Sequence, residues 1–185
     1  MKQYKYFAFI SYSRRDSDTA KWYHNKLEHF HVPAKLPPLP DGEPIPKPLR
    51  FFRDKTDLNV SSDTFTADLK QAVADSQFLV VLCSPNAAQS NPDGRHYIDW
   101  EINEFIEIHG KDYALTHILP VVIDGVICSG NPETECMPHA LRDLGDEFLQ
   151  HNFPILEKSG GRQEMESSKN VFVMQTLSFL LSMDY

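Results

Sequence analysis

Apolar positions along this chain follow two alternating rhythms. Tyr6 to Tyr12 is a continuous aromatic and β-branched run that ends at the polar break Ser13-Arg14-Arg15-Asp16, which predicts a buried strand. From Asp16 to Phe30 the spacing becomes helical: Ala20, Tyr23, Leu27 and Phe30 share a stripe, with Asp16 or Ser17 placed to cap it. Leu49–Arg53 predicts a short second strand, and Thr64–Ser76 a second helix through Phe65, Leu69, Ala72 and Val73. Gln77–Cys83 reads as a strand covered on both faces, as a central parallel strand should be. His96–His109 is helical again, with Ile98, Ile102, Phe105 and His109 on one face and Ile106 beside them. His117–Ile123 predicts a fourth strand, Pro138–Gln150 a helix, Phe153–Leu156 a short fifth strand and Ser167–Ser182 a final helix.

The segments between these elements are polar or punctuated. Val32–Pro48 is rich in proline and has no usable period, so it reads as an inserted, partly extended loop. Asp54–Asp63, Ser84–Arg95 and Asp124–Met137 read as turns and loops. Strands alternating with helices predict right-handed crossovers and a parallel sheet. The expected fold is α/β: a flavodoxin-like, doubly wound, five-stranded parallel sheet of order 2-1-3-4-5 flanked by helices. Residues 1–185 are expected to form one domain. The apolar final helix so near the last residue fits a piece of a longer fusion protein.

Composition narrows the class. Apolar residues are 41% and charged residues 24% of the chain, as in a globular domain. No apolar run approaches bilayer length, and Met1-Lys2-Gln3-Tyr4 does not open a secretory signal, so a cytoplasmic protein without a membrane partner is expected. Cys83, Cys128 and Cys136 are too few and too irregular for a disulfide framework or a zinc site, and no metal is expected. A formal charge of −8 argues against nucleic acid, whose phosphates need a basic patch. It leaves room for a small anion held by a local positive potential.

In open parallel sheets, ligands bind beyond the carboxyl ends of the strands. Several chemistries fail there. No Walker loop is present, and Ser11-Tyr12-Ser13-Arg14-Arg15 has no glycine for a dinucleotide fingerprint. No Gly-x-Ser-x-Gly elbow supports a hydrolase triad, and Cys83-Ser84-Pro85 stands where a response regulator carries its aspartate. What remains is Tyr97-Ile98-Asp99-Trp100-Glu101. Tyr97 and Glu101 are four apart on a predicted helix, on a stripe next to the core stripe. A ring and a carboxylate at the sheet rim suit a cationic, planar ligand with a sugar attached.

These residues resemble a known family, the Toll/interleukin-1 receptor (TIR) domains. Phe7 to Ser13 resembles the family's first box, an apolar strand running into Ser-Tyr-Ser. Phe52-Arg53-Asp54 followed by Asp57-Leu58 resembles the second box, which leads into the BB loop. Ser76 to Ser84-Pro85-Asn86, Ser90, and Tyr97 to Glu101 resemble the family's ordered pattern of serine, strand, Ser-Pro-Asn, aromatic and glutamate. The motifs run from about Phe7 to Phe105 and look more like bacterial members than animal receptors. The loop departs from the family: Asp57 to Asp63 has no glycine, and Asn59 is the residue suited to take positive φ instead.

The resemblance implies an activity. Enzymatic TIR domains split nicotinamide from ribose in NAD⁺, giving ADP-ribose or cyclic or conjugated ADP-ribose signals, in bacteria often for antiphage defence as in Thoeris systems. It implies Glu101 as the catalytic residue and Tyr97 as the packing aromatic. Arg14 or Arg15 would hold the pyrophosphate, Ser11 and Ser13 would line the floor, and Asp54 would complete the substrate-contact set, though its residue type also suits a turn. NAD⁺ would be substrate, with no cofactor besides. Expected partners are further TIR copies and a downstream effector that senses the nucleotide product. The alternative is a non-enzymatic TIR adaptor acting by TIR–TIR association.

Overall fold

The apolar run expected at the centre of the sheet is central. In the computed structural model, β3 (Ser76–Cys83) is buried at every position and lies parallel between β1 (Tyr6–Ser11) and β4 (Ile118–Val122). The short β2 (Phe51–Arg53) pairs with the outer side of β1, so the order is β2-β1-β3-β4. The structure describes residues 4–30, 45, 47–53, 63–89, 96–150, 153–156, 173–178 and 180. Most of the Pro-rich segment Val32–Pro48, the BB-loop residues Asp54, Asp57 and Asn59, and Ser90 lie outside them.

Helices cover both faces, and the side chains divide accordingly. On one face Ile10, Phe78, Val80, Leu82, Leu119 and Val121 pack against Ala20, Tyr23 and Leu27 of α1 (Ser17–Glu28). Residues 173–178 and 180 are helical and add Val173, Leu177 and Leu180 to this layer. The buried phenol of Tyr23 donates to Thr176 Oγ1 at 2.8 Å and ties that segment to α1.

On the other face Phe9, Leu79, Val81 and Cys83 meet Leu69, Ala72 and Val73 of α2 (Asp63–Ala74). Ile98, Ile102 and Phe105 of α4 (Tyr97–His109) join the same cluster. Each large apolar side chain removed from water in these layers adds roughly 1.5–3 kcal/mol before entropy is counted. The ion pair of Lys70 with the buried Glu104, at 2.6 Å, fastens α2 to α4.

Several elements differ from the spacing. The expected fifth strand is not formed among the described residues. Phe153–Leu156 touches the sheet through one parallel bridge, Val122↔Ile155, where the Val122 N–H donates to Pro154 O and the Leu156 N–H to Val122 O. Val122 therefore aims both backbone groups outward, and alternation along the strand aims Pro120 outward as well. Proline offers no N–H to a fifth strand there, and Pro154 offers none in return, so among the described residues the ladder has one rung.

Pro85–Ala88 is a short helix, α3, inside the expected loop; Ser84 caps it, accepting the Ala87 N–H at 3.0 Å. Lys111–His117 forms α5, which the spacing does not predict; it is divided from α4 by Gly110 at φ +90°. Pro138–Gln150 is two short helices, α6 (His139–Arg142) and α7 (Asp146–Leu149), broken at Gly145 with φ +109°.

Candidate active site

β1 delivers Ser11 to the carboxyl edge of the sheet, level with Val81 of β3. Ser11 is 1% exposed and aims toward α4, on the face it shares with Phe9. There its hydroxyl donates to the carboxylate oxygen Oε2 of Glu101, which is 8% exposed. A carboxylate so enclosed requires hydrogen bonding, and Ser11 supplies it. Tyr97, half-buried, opens α4 one turn before Glu101, so ring and carboxylate share a stripe of that helix.

After Ser11 the chain passes Tyr12 and the buried Ser13 into a single 3-10 turn, Arg14–Asp16. Arg14 and Arg15 are exposed on that turn, and neither side chain has a hydrogen bond or ion pair among the described residues. Of the residues singled out in the sequence, Ser11 and Glu101 are in direct contact. Tyr97 shares the helix of Glu101, and Ser13, Arg14 and Arg15 share the turn that follows Ser11. Asp54 lies outside the described residues.

Two anchoring residues escape a reading of the sequence. Asp16 occupies the N-cap position of α1 but makes no side-chain cap. Its carboxylate instead accepts from Ser84 Oγ at 2.5 Å and from Asn86 Nδ2 at 2.8 Å. Asp99 accepts the Ala140 N–H at 2.9 Å and stands 3.4 Å from His96 Nδ1, which docks α6 against the start of α4. The signal for the first pair is present as Ser84-Pro85-Asn86, but its partner is far away in sequence. Trp100 is half-buried against the apolar cluster of its face.

Cysteine chemistry is disfavoured near this edge. Burial pushes the Cys83 thiol well up and the Cys136 thiol up to about 12, so neither supplies a thiolate near neutral pH. Among the described residues, no group of three or more His, Cys, Asp and Glu side chains is arranged to hold a metal ion. No helix among them is long and apolar enough to cross a membrane. What the arrangement offers is one fixed carboxylate, an aromatic ring a turn away, and a cationic turn at the end of β1.

Comparison with known proteins shows the family. The TIR domain family model matches residues 8–147. The chain is 36% identical over 113 residues to the NAD(+) hydrolase ApTIR of an Actinoplanes species. That match takes in 57% of this chain and 14% of the relative, so the chain corresponds to a small part of that protein's length. Among solved structures it is similar to the TIR domains of the activated Roq1 resistosome directly recognizing the pathogen effector XopQ. That likeness has a TM-score of 0.44 and 19% identity, and covers 97% of this chain and 86% of the other. With the family pattern matched across most of its length, this chain belongs to the TIR domain family.

Proposed function

We propose that this chain cleaves the bond between nicotinamide and ribose in NAD⁺, with Glu101 as the catalytic residue. The observation that carries the reading is the Glu101 carboxylate, buried at the carboxyl edge of the sheet, held by Ser11 and one turn from Tyr97. The similarity to a protein named NAD(+) hydrolase adds support from a separate direction.

The chemistry asks little of the protein. Nicotinamide leaves as a neutral molecule, so no general acid is needed. The ribose carbon passes through an oxocarbenium-like state. Glu101 anchors the ribose hydroxyls and stabilises the developing cation. Ser11 fixes the carboxylate, and Ser13 lines the same floor. Tyr97 packs against the nicotinamide ribose or ring. Arg14 or Arg15 pairs with the pyrophosphate, and Asp54, next in the chain after β2, completes the contact set. Water then captures the cation, giving ADP-ribose, nicotinamide and a proton. Capture by an internal nucleophile of the ADP-ribose gives a cyclic product, and by another acceptor a conjugate. Such a nucleotide suits a signal read by a downstream effector in bacterial antiphage immunity, made in the cytoplasm by self-associated TIR copies.

The test is to incubate concentrated protein with NAD⁺ and resolve the products by chromatography. Free nicotinamide, appearing faster than linearly with protein concentration, is the expected result. Undiminished NAD⁺ at every concentration would leave the adaptor reading in its place.

A further inference from the structure

The turn that carries Arg14 and Arg15 is flanked by two fastened side chains. Before it, at the end of β1, Ser11 donates to Glu101 on α4. At its end, the Asp16 N–H donates to Ser13 O at 2.7 Å, and the Asp16 carboxylate reaches across to the loop after β3. Ser84 there is 1% exposed, and its oxygen already accepts the Ala87 N–H. Its one hydroxyl proton is therefore free for Asp16. Asn86 supplies a second donor to the other carboxylate oxygen. Both oxygens of Asp16 are thus held by donors from the neighbouring loop, and α1 starts without a side-chain cap.

This arrangement is unusual for a residue at that position. An aspartate before a helix is expected to bind the helix's own N–H groups. Here the carboxylate is spent on a link between two loops at the carboxyl edge of adjacent strands. The residues immediately before it are two arginines whose side chains have no hydrogen bond or ion pair among the described residues. An anion receptor works best when its donors are already in place, because ordering them on binding weakens affinity.

We propose that Asp16, braced by Ser84 and Asn86, is the positioning residue that holds Arg14 and Arg15 as a preformed receptor for the diphosphate of NAD⁺. This rests on the NAD⁺-cleaving reading above. Asp16 itself does not touch the substrate. Its action is through the turn, so it bears on substrate binding and leaves the reacting centre at Glu101 unaltered.

Steady-state kinetics of NAD⁺ cleavage by wild type, Asp16→Ala, Asn86→Ala and the Arg14→Ala/Arg15→Ala pair decide the matter. The expected result for Asp16→Ala is a KM raised about tenfold with kcat within about twofold of wild type. Asn86→Ala keeps the carboxylate and loses one bond, so its KM rises in the same sense by less; it carries the test if Asp16→Ala does not fold. In the background lacking both arginines, Asp16→Ala adds no further rise in KM. A KM unchanged by either single variant, a loss carried wholly by kcat, or an equal penalty with and without the arginines overturns the proposal. Active wild type with such variants removes this inference alone. A wild type that releases no nicotinamide removes the activity reading on which it stands.

Discussion

Ser11 and Glu101 are ninety positions apart in the chain, yet the serine hydroxyl donates directly to the carboxylate, and both side chains are buried. One comes from the last residue of β1 and the other from the second turn of α4, so the bond records how that helix is docked on the sheet. Removing the hydroxyl leaves the carboxylate enclosed without that donor. A hydrogen bond to a charged group contributes about 1.5–3 kcal/mol. Ser11→Ala is therefore expected to lower kcat/KM for NAD⁺ by roughly 10- to 100-fold with little loss of secondary structure. Nicotinamide release and circular dichroism on the same sample check both halves.

Tyr23→Phe removes the bond that joins α1 to the helical residues near the end of the described chain. Equilibrium denaturation should show a loss of about 1–2 kcal/mol. Burial also pushes the Tyr23 phenol up. The folded protein therefore keeps this proton where the unfolded chain has begun to lose it. That contribution is complete below the ordinary tyrosine value of about 10 and declines as pH rises through the folded one. Wild-type stability should fall more steeply above about pH 10 than that of Tyr23→Phe.

Gly125 and Gly110 both sit at positive φ, +87° and +90°, but their surroundings differ. A Cβ at Gly125 would lie 2.6 Å from Thr134 O and 2.9 Å from Cys136 Cβ, whereas one at Gly110 meets nothing within 4 Å. Gly110→Ala should be destabilised only by backbone strain, about 1–3 kcal/mol, and Gly125→Ala distinctly more. Thermal unfolding of the two variants in parallel gives the comparison.

The thiols should react unequally. Cys128 is exposed, while Cys83 and Cys136 are buried with their pKa values pushed up. A chromogenic disulfide at neutral pH is expected to titrate one thiol rapidly in the native protein, and all three after denaturation. Rapid reaction of more than one native thiol would contradict the burial.

The fold was legible where one rhythm held over a long stretch. Ser76–Cys83 is apolar enough to be recognised as the central strand, and Ile98, Ile102 and Phe105 mark the buried face of α4. Shorter elements carried no such rhythm. α5 buries only Ala114 and is invisible as a stripe. The fifth strand was misread because its obstacle is a pair of prolines, Pro120 and Pro154, that face each other only once the strand's outward side is known.

The candidate site divides in the same way. Tyr97 and Glu101 are visible together because helical spacing is local. The contact of Ser11 with Glu101, and that of Asp16 with Ser84 and Asn86, depend on strand register and helix docking, which no short window contains.

The central claim is that the Glu101 carboxylate performs the cleavage, and Glu101→Gln tests it most directly. Glutamine keeps the size and a carbonyl acceptor for Ser11 but removes the negative charge. The variant should unfold at nearly the wild-type temperature and release nicotinamide from NAD⁺ at a rate lower by at least about a hundredfold, the scale seen when one stabilising group is lost from a transition state. A folded Glu101→Gln protein that turns over NAD⁺ at the wild-type rate would contradict the account.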